Sequence, residues 1–490
     1  MSDTKRPLGQ VTAAGAVWLI LQNGGGRVVG FLSQLVIAAI LSPQDFGVVG
    51  LAFTVSTFGA MLVNFGVDSV LLQRQNTMRF WIVPAFWYSF GLGLAGCLVV
   101  VIVGPIAARM YAVPDVSRLA IVIAIGMPIS GLASVPNVLM RSRFQFRQIA
   151  IVGLVETLLI QLLTIGFAMG GLHAYAFVLP LPIVGALRTA TVWYLTRPDL
   201  SGLFHKVGRV KYLMNSSLAV FGTGVVQSAV SQGDYIVLGL LANETAVGIY
   251  FFAFKMASQP LLMMAMSLSN VLFPALSQLR NTPDAQGAAA FRAARLLGLL
   301  IMPLAFLQAG LIEPAIHLFF RSKWDASIPL MQILSIALGF DAIAWIAGTL
   351  VTAQGGFRRQ FFYILAFSPP FFVLVAIGGW HGSALGVAIG VAAYYILVTP
   401  LYSYMVFRRN GLTAGRLIWF YLMPAAVACV SIGAAVALTR AVGPGSDILR
   451  ICMISVLGLG FYTAGLRLAD AEAFQEVRGL VSQFLGRLAR

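Results

Sequence analysis

Charge is what this sequence has least of. Only 10% of its 490 residues are Asp, Glu, Lys or Arg, against roughly 25% in an ordinary soluble domain. Other chemistry-bearing residues are also few. The four histidines (His173, His205, His317, His381) are far apart and fall near the ends of apolar segments, so they suggest no metal-ligand set. The three cysteines (Cys97, Cys429, Cys452) show no CxxC spacing and sit in apolar segments. Gly24-Gly25-Gly26 is not followed by Lys-Ser/Thr and forms no phosphate loop. No loop is long enough for a soluble nucleotide domain or for a large outer domain carrying acidic catalysts. These absences argue against an enzyme, a cofactor site and an ATP-driven pump. The first apolar segment is too long for a cleavable signal and carries Arg27 near its middle.

Apolar residues fill the space that charge leaves. They make up 59% of the chain, in long continuous runs such as Leu92 to Val103 and Ile451 to Gly465. Crossing a bilayer as helix takes about 20 mostly apolar residues, and only helices or closed barrels can satisfy their backbone there. The breaks between runs predict an all-α integral membrane protein of about fourteen transmembrane helices, at 13–41, 46–72, 82–104, 117–140, 149–170, 174–196, 212–241, 247–278, 293–319, 328–353, 360–378, 383–407, 416–439 and 447–467. With both termini inside, 23 of the 32 Lys and Arg fall in inner loops, six in outer loops and three (Arg27, Arg188, Lys255) within helices. That bias follows the positive-inside rule and puts N- and C-termini in the cytoplasm. It also explains the net charge of +16 as topology. Nucleic acid is not an expected partner, since no segment can build a basic soluble patch.

An internal repeat organises the first twelve helices. Leu41-Ser-Pro-Gln-Asp-Phe-Gly47-Val48 matches Ala242-Asn-Glu-Thr-Ala-Val-Gly248-Ile249, with Gly47 aligned on Gly248 at an offset of 201. The same offset pairs Ser69-Val70-Leu71 with Asn270-Val271-Leu272. Two six-helix halves in parallel orientation, with a substrate site between them, are a common transporter plan. The expected domains are 1–200, 201–410, and a third segment at 411–490 holding two extra helices and a cytoplasmic tail.

Polar residues within the apolar segments are site candidates, because charge in the membrane is expensive. Asn23, Arg27 and Gln34 fall on one face of helix 1, with Gly30 between them. Thr223, Gln227 and Asp234 repeat that pattern in helix 7, and Lys255 and Gln259 sit four apart in helix 8. Asn64, Asp68, Glu156, Arg188 and Asp341 complete the set. Each also has a structural reading. Asp68 suits an interfacial cap, Glu156 and Arg188 can pair with each other, and Asp341 can bond a neighbouring helix. Gly382, Gly386 and Gly390 form a small-residue face. Pro180, Pro182, Pro369 and Pro370 interrupt helices 6 and 11.

Leu41-Ser-Pro-Gln-Asp-Phe-Gly47, Asn64-Phe-Gly-Val-Asp-Ser-Val-Leu-Leu-Gln-Arg74, Gly248-Ile-Tyr-Phe-Phe-Ala-Phe-Lys255 and Asn270-Val-Leu-Phe-Pro-Ala-Leu-Ser-Gln-Leu279 resemble the Wzx-type polysaccharide flippases. The match is to their colanic-acid-exporter-like branch, within the multidrug/oligosaccharidyl-lipid/polysaccharide exporter superfamily. The resemblance covers roughly residues 10–280 and is one of topology beyond. It implies a V-shaped pair of six-helix bundles around a central cavity. It also implies transport of an undecaprenyl-pyrophosphate-linked repeat unit from the cytoplasmic to the periplasmic leaflet of a bacterial inner membrane. On that reading Arg27 and Lys255 attract the pyrophosphate, as basic residues in helices 1 and 8 do in related lipid flippases. Asn23, Gln34, Gln227 and Gln259 then hydrogen-bond sugar hydroxyls, and Asp234 with Asp341 binds a coupling proton or cation. No cofactor is implied. Membrane lipids, a polysaccharide polymerase and a chain-length regulator are the implied partners. A cation-coupled multidrug exporter, a peptidoglycan-precursor flippase and a membrane scaffold remain open alternatives.

Overall fold

The computed structural model describes residues 8–63, 71, 78, 80–198, 210–380, 383–476 and 478–479. Among these there is no strand. The helices are α1 (Leu8–Ile40), α2 (Pro43–Val63), α3 (Ile82–Met110), α4 (Asp115–Ser142) and α5 (Phe146–Met169). α6 (Tyr175–Thr196) is split before Pro180. α7 (Val210–Leu241), α8 (Glu244–Gln278), α9 (Pro283–Phe320), α10 (Ile328–Ala353) and α11 (Phe357–Gly379) follow. α12 (Ala384–Asn410), α13 (Ala414–Val442) and α14 (Asp447–Ala469) close the chain's helical series. The spans read from the sequence overlap these helices, and residues 64–70 and 72 of the second span lie outside the described residues. Among the described residues, eleven are long and apolar enough to cross a membrane, and α1 adds the shorter apolar stretch Gly24–Ile40. Asn64, Asp68, Gly382 and the expected boundary at 200/201 lie outside the described residues.

By its internal contacts the chain divides into two compact units, Met1–Gly248 and Ile249–Arg490. In the first, α2 packs on α3, α4 and α7, while α1 lies along α5. In the second, α9 packs against α10, α13 and α14. The C-terminal helix pair thus shares the core of its unit: Leu299, Met423, Ala428, Tyr462 and Leu466 are buried in one cluster.

The repeat is visible at the level of single hydrogen bonds. Ser42 opens α2 by exchanging bonds with Asp45: its hydroxyl accepts from the Asp45 N–H (3.2 Å), and the Asp45 carboxylate accepts from the Ser42 N–H (2.9 Å). At the same offset of 201, Asn243 opens α8, its Oδ1 accepting from the Ala246 N–H at 2.9 Å. The preceding turns match as well. Leu41 N–H donates to Ile37 O at 2.9 Å, and Ala242 N–H donates to Leu238 O at 2.8 Å.

These two helix starts then cross each other at their aligned glycines. A Cβ on Gly47 would lie 1.7 Å from the Glu244 carbonyl oxygen, and one on Gly248 would lie 1.7 Å from the Pro43 oxygen. Pro43 and Glu244 are themselves 201 apart, so the contact is reciprocal. Gln44 Nε2 reinforces it with a 2.9 Å bond to Glu244 Oε1. No residue but glycine fits at either position without separating the backbones.

Prolines interrupt many of these helices, and a proline at position i leaves the carbonyl of i−4 without its donor. Side chains answer four of these losses. Pro136 frees the Leu132 carbonyl, which accepts from the Trp193 indole of α6 at 3.0 Å. Pro260 frees that of Met256, which Gln308 of α9 reaches at 3.2 Å, together with Ala257 O. Pro303 frees Leu299 O, which accepts from the Tyr462 hydroxyl of α14 at 2.9 Å. Pro369 frees Leu365 O, which accepts from Ser368 at 3.0 Å.

Replacing Gly47 or Gly248 by Ala is expected to destabilise the protein by about 1–3 kcal/mol, the usual cost of overpacking. Thermal unfolding in detergent measures this. Gly433→Ala, whose added methyl meets nothing within 4 Å, is expected to leave the midpoint unchanged or raise it.

Candidate functional site

The first unit holds a polar cavity inside its helix bundle. α1 and α5 approach closely because Gly26 and Gly30 of α1 face Thr157 and Gln161 of α5, with Gly153 of α5 facing Gln22 of α1. Beside that seam, Arg188 of α6 forms an ion pair with Glu156 of α5 (Nε to Oε2, 2.9 Å). It also donates through Nη2 to Asn137 Oδ1 of α4 at 3.1 Å. Gln22, Asn137, Glu156 and Arg188, with Arg141 at the rim, line a cavity of about 360 Å3. The charges inside it cancel, leaving amide and carboxylate groups that can exchange hydrogen bonds with a hydroxyl-rich ligand.

The second unit has a different polar interior. The Asp341 carboxylate of α10 accepts from the indole N–H of Trp345, one turn later, at 3.1 Å. Around it, Tyr402 donates to Gln360 Oε1 at 3.1 Å, and Tyr421 and Ser403 share a 2.9 Å hydrogen bond. Lys255 of α8 lies over the ring of Phe251, its ammonium 5.4 Å from the centroid.

The structure locates most of the residues that the sequence singled out. Arg27 is half-buried on α1, and Lys255 and Gln259 are half-buried on α8. Gln34 is 4% exposed and Asp234 2%. Asp234 accepts the N–H of Tyr235 at 2.9 Å, and the Gln34 side-chain nitrogen has no hydrogen-bond partner among the described residues. Gln227 is exposed on α7, and Asn23 lies on α1 with its side chain outside the described residues. The Glu156–Arg188 pairing, one of two readings from the sequence, is realised, and Asp341 bonds within its own helix rather than to a neighbour. Gln22, Asn137, Gln308, Gln360 and Tyr402 were not singled out. Uncharged amides and phenols in apolar runs carry little signal until the helix they face is known. Among the described residues, no group of three or more His, Cys, Asp or Glu could hold a metal ion.

A double-mutant cycle on the polar cavity is expected to show strong coupling. Glu156→Gln leaves a half-buried guanidinium without its counter-charge and lowers thermal stability more than the double variant with Arg188→Gln does. The interaction energy expected from unfolding midpoints lies within about 0.5–3 kcal/mol.

Comparison with known proteins agrees with this architecture. The chain is 23% identical over 394 residues to the succinoglycan biosynthesis transport protein ExoT of Rhizobium meliloti (strain 1021), covering 80% of each chain. It is 20% identical over 414 residues to the lipopolysaccharide biosynthesis protein WzxC of Escherichia coli (strain K12), covering 80% of this chain and 82% of that one. Among solved structures, the lipid II flippase MurJ in an inward closed conformation superposes with a TM-score of 0.72 at 13% identity, over 91% of this chain and 98% of its own. An inward-facing multidrug resistance MATE transporter of the MOP superfamily superposes at 0.62 and 17% identity, over 79% of this chain and 96% of its own. The chain thus shares its fold with these two transporters. A family model described as polysaccharide biosynthesis protein matches residues 36–329. This multi-pass membrane protein therefore belongs to the polysaccharide biosynthesis protein family.

Proposed function

We propose that this protein is a flippase and not an enzyme. It moves an oligosaccharide repeat unit linked to undecaprenyl pyrophosphate from the cytoplasmic to the periplasmic leaflet of the bacterial inner membrane, by alternating access. The observation that carries this reading is the family match over residues 36–329, which spans both members of the repeat. The fold shared with a lipid II flippase supports it. Fourteen spans, cytoplasmic termini, and a division into six-helix bundles at 1–200 and 201–410 with an added segment at 411–490 belong to the same reading. A polysaccharide polymerase and a chain-length regulator act on the product.

In this mechanism Arg27 and Lys255 each supply positive charge to the pyrophosphate. Asn23, Gln34, Gln227 and Gln259 each hydrogen-bond sugar hydroxyls, and Asp234 and Asp341 are each assigned to the coupling ion. Arg27 has an unusual setting for a charged residue, half-buried beside the glycine seam of α1. A charged residue within a membrane span is a site candidate by default.

Arg27→Gln and Lys255→Gln are each expected to lower flipping of the lipid-linked unit in reconstituted vesicles by about tenfold or more, the worth of a charged hydrogen bond. Arg27→Lys is expected to retain part of the rate. Wild-type rates in both neutral variants would overturn the pyrophosphate assignment. The MurJ superposition favours one second reading, a flippase for the peptidoglycan lipid precursor. Rescue of cells depleted of that flippase would support it over the polysaccharide reading.

A further inference from the structure

The helical hairpin of α11 and α12 is closed at one end and open at the other. At the closed end the backbones touch. A Cβ on Gly378 would lie 2.1 Å from Gly386 O, one on Gly386 2.0 Å from Gly378 O, and one on Gly390 2.4 Å from Leu374 O. Moving along the hairpin, Phe371 meets Tyr394 edge-on at 5.1 Å. There both helices lose their regularity: α11 carries Pro369 and Pro370, and α12 widens into a π-turn at Tyr394–Val398 just before Pro400. Beyond this point the helices part around a groove of about 1080 Å3.

The walls of this groove change character along its length. Phe362, Ala366, Val398, Leu401 and Met405 line its apolar part, and Phe362 and Leu401 are 51% and 47% exposed. Arg358, Arg359 and Arg409 stand at the open end. Arg280 adds a fourth guanidinium, packed against Gly355 of the α10–α11 turn. No carboxylate lines the groove, and no ion pair involves any of these four arginines among the described residues. Arg358 lies over the Phe362 ring, 5.8 Å from its centroid. Arg359 donates one N–H to Gln354 and keeps its Nε buried without a hydrogen-bond partner. Side chains that hold four uncompensated positive charges at the head of an apolar furrow are complementary to an anionic amphiphile.

The length of the furrow selects among such amphiphiles. From Arg358 to Pro370 the helix rises by twelve residue steps, about 18 Å at 1.5 Å per residue. One leaflet of a hydrocarbon core about 30 Å thick is about 15 Å deep. The groove therefore takes acyl chains of one leaflet with the phosphate above them, and it closes at Gly378–Gly390 before a much longer polyprenyl chain is accommodated. We infer that the α11–α12 groove is a binding site for an anionic glycerophospholipid of the leaflet that faces the arginines, with its phosphate held by Arg358, Arg359 and Arg409. This site is independent of the transport substrate and of the assignment of Arg27 and Lys255.

The test is native mass spectrometry of the full-length protein in detergent, titrated with phosphatidylglycerol or phosphatidylethanolamine. Phosphatidylglycerol is expected to bind at least about tenfold more tightly, since each Arg near a lipid headgroup layer contributes on the order of 1 kcal/mol. Arg358→Gln, Arg359→Gln and Arg409→Gln together are expected to abolish that preference. Ala366→Trp, which fills the groove and leaves the charges, is expected to weaken phosphatidylglycerol binding by a similar factor. A control with the same loss of charge elsewhere (Arg147→Gln, Arg197→Gln and Arg292→Gln) is expected to retain the preference. The inference is overturned if the control loses as much as the groove variant, or if the groove variants bind as wild type does. It is also overturned if undecaprenyl phosphate displaces phosphatidylglycerol at equal or lower concentration, which would make the occupant the carrier lipid.

Discussion

A backbone carbonyl in hydrocarbon has no water to turn to, and leaving it bare costs several kcal/mol. This constraint governs the whole molecule, because its helices carry internal prolines and each proline exposes one carbonyl. Trp193, Gln308 and Tyr462 reach from neighbouring helices to the carbonyls of Leu132, Met256 and Leu299. Each of these bonds joins a broken helix to a second helix at the place where it is broken. Tyr462 also gives the C-terminal hairpin a definite task. It binds α14 to the interrupted turn of α9 and so braces the longest helix of the second unit.

The same economy of polar groups shapes the close contacts. Where side chains are absent, backbones meet: Gly47 with Gly248 at the starts of the repeated helices, and Gly378 with Gly386 and Gly390 in the α11–α12 hairpin. Where side chains are polar they are gathered, as in the Arg188–Glu156–Asn137 group of the first unit and the tyrosine-rich surroundings of Asp341 in the second. Arg188 is neutralised on the spot, and Asp341 is satisfied within its own helix. Arg27 and Lys255 stand at half-buried positions on α1 and α8.

Much of this was legible in the sequence. Apolar run length placed the helices, since the bilayer sets that length directly. The offset of 201 was visible in Gly47 and Gly248, and it carries through to the caps Ser42 and Asn243, because turn chemistry is local and leaves a local trace. The partners of the prolines were not legible. Pro260 can be seen to break its helix, but that Gln308 repairs it depends on which helix lies alongside, and no spacing in the sequence encodes that. The ion pair of Glu156 with Arg188 was readable as one option because two opposite charges in consecutive helices are conspicuous. Asn137 and Gln22 beside them were not, being ordinary amides in greasy segments. The α11–α12 groove was hidden for the same reason: its arginines read as positive-inside topology, and only the parting of the helices gives them a furrow to guard.

Carriage of a lipid-linked glycan across the membrane is the step from which the proposed function follows. The most direct measurement is the leaflet distribution of the lipid-linked repeat unit in spheroplasts of a deletion strain, read with a membrane-impermeant lectin or glycosidase. The unit is expected to accumulate out of reach of the probe, on the cytoplasmic side, and to become accessible when the gene is restored. Equal accessibility with and without the protein would contradict it.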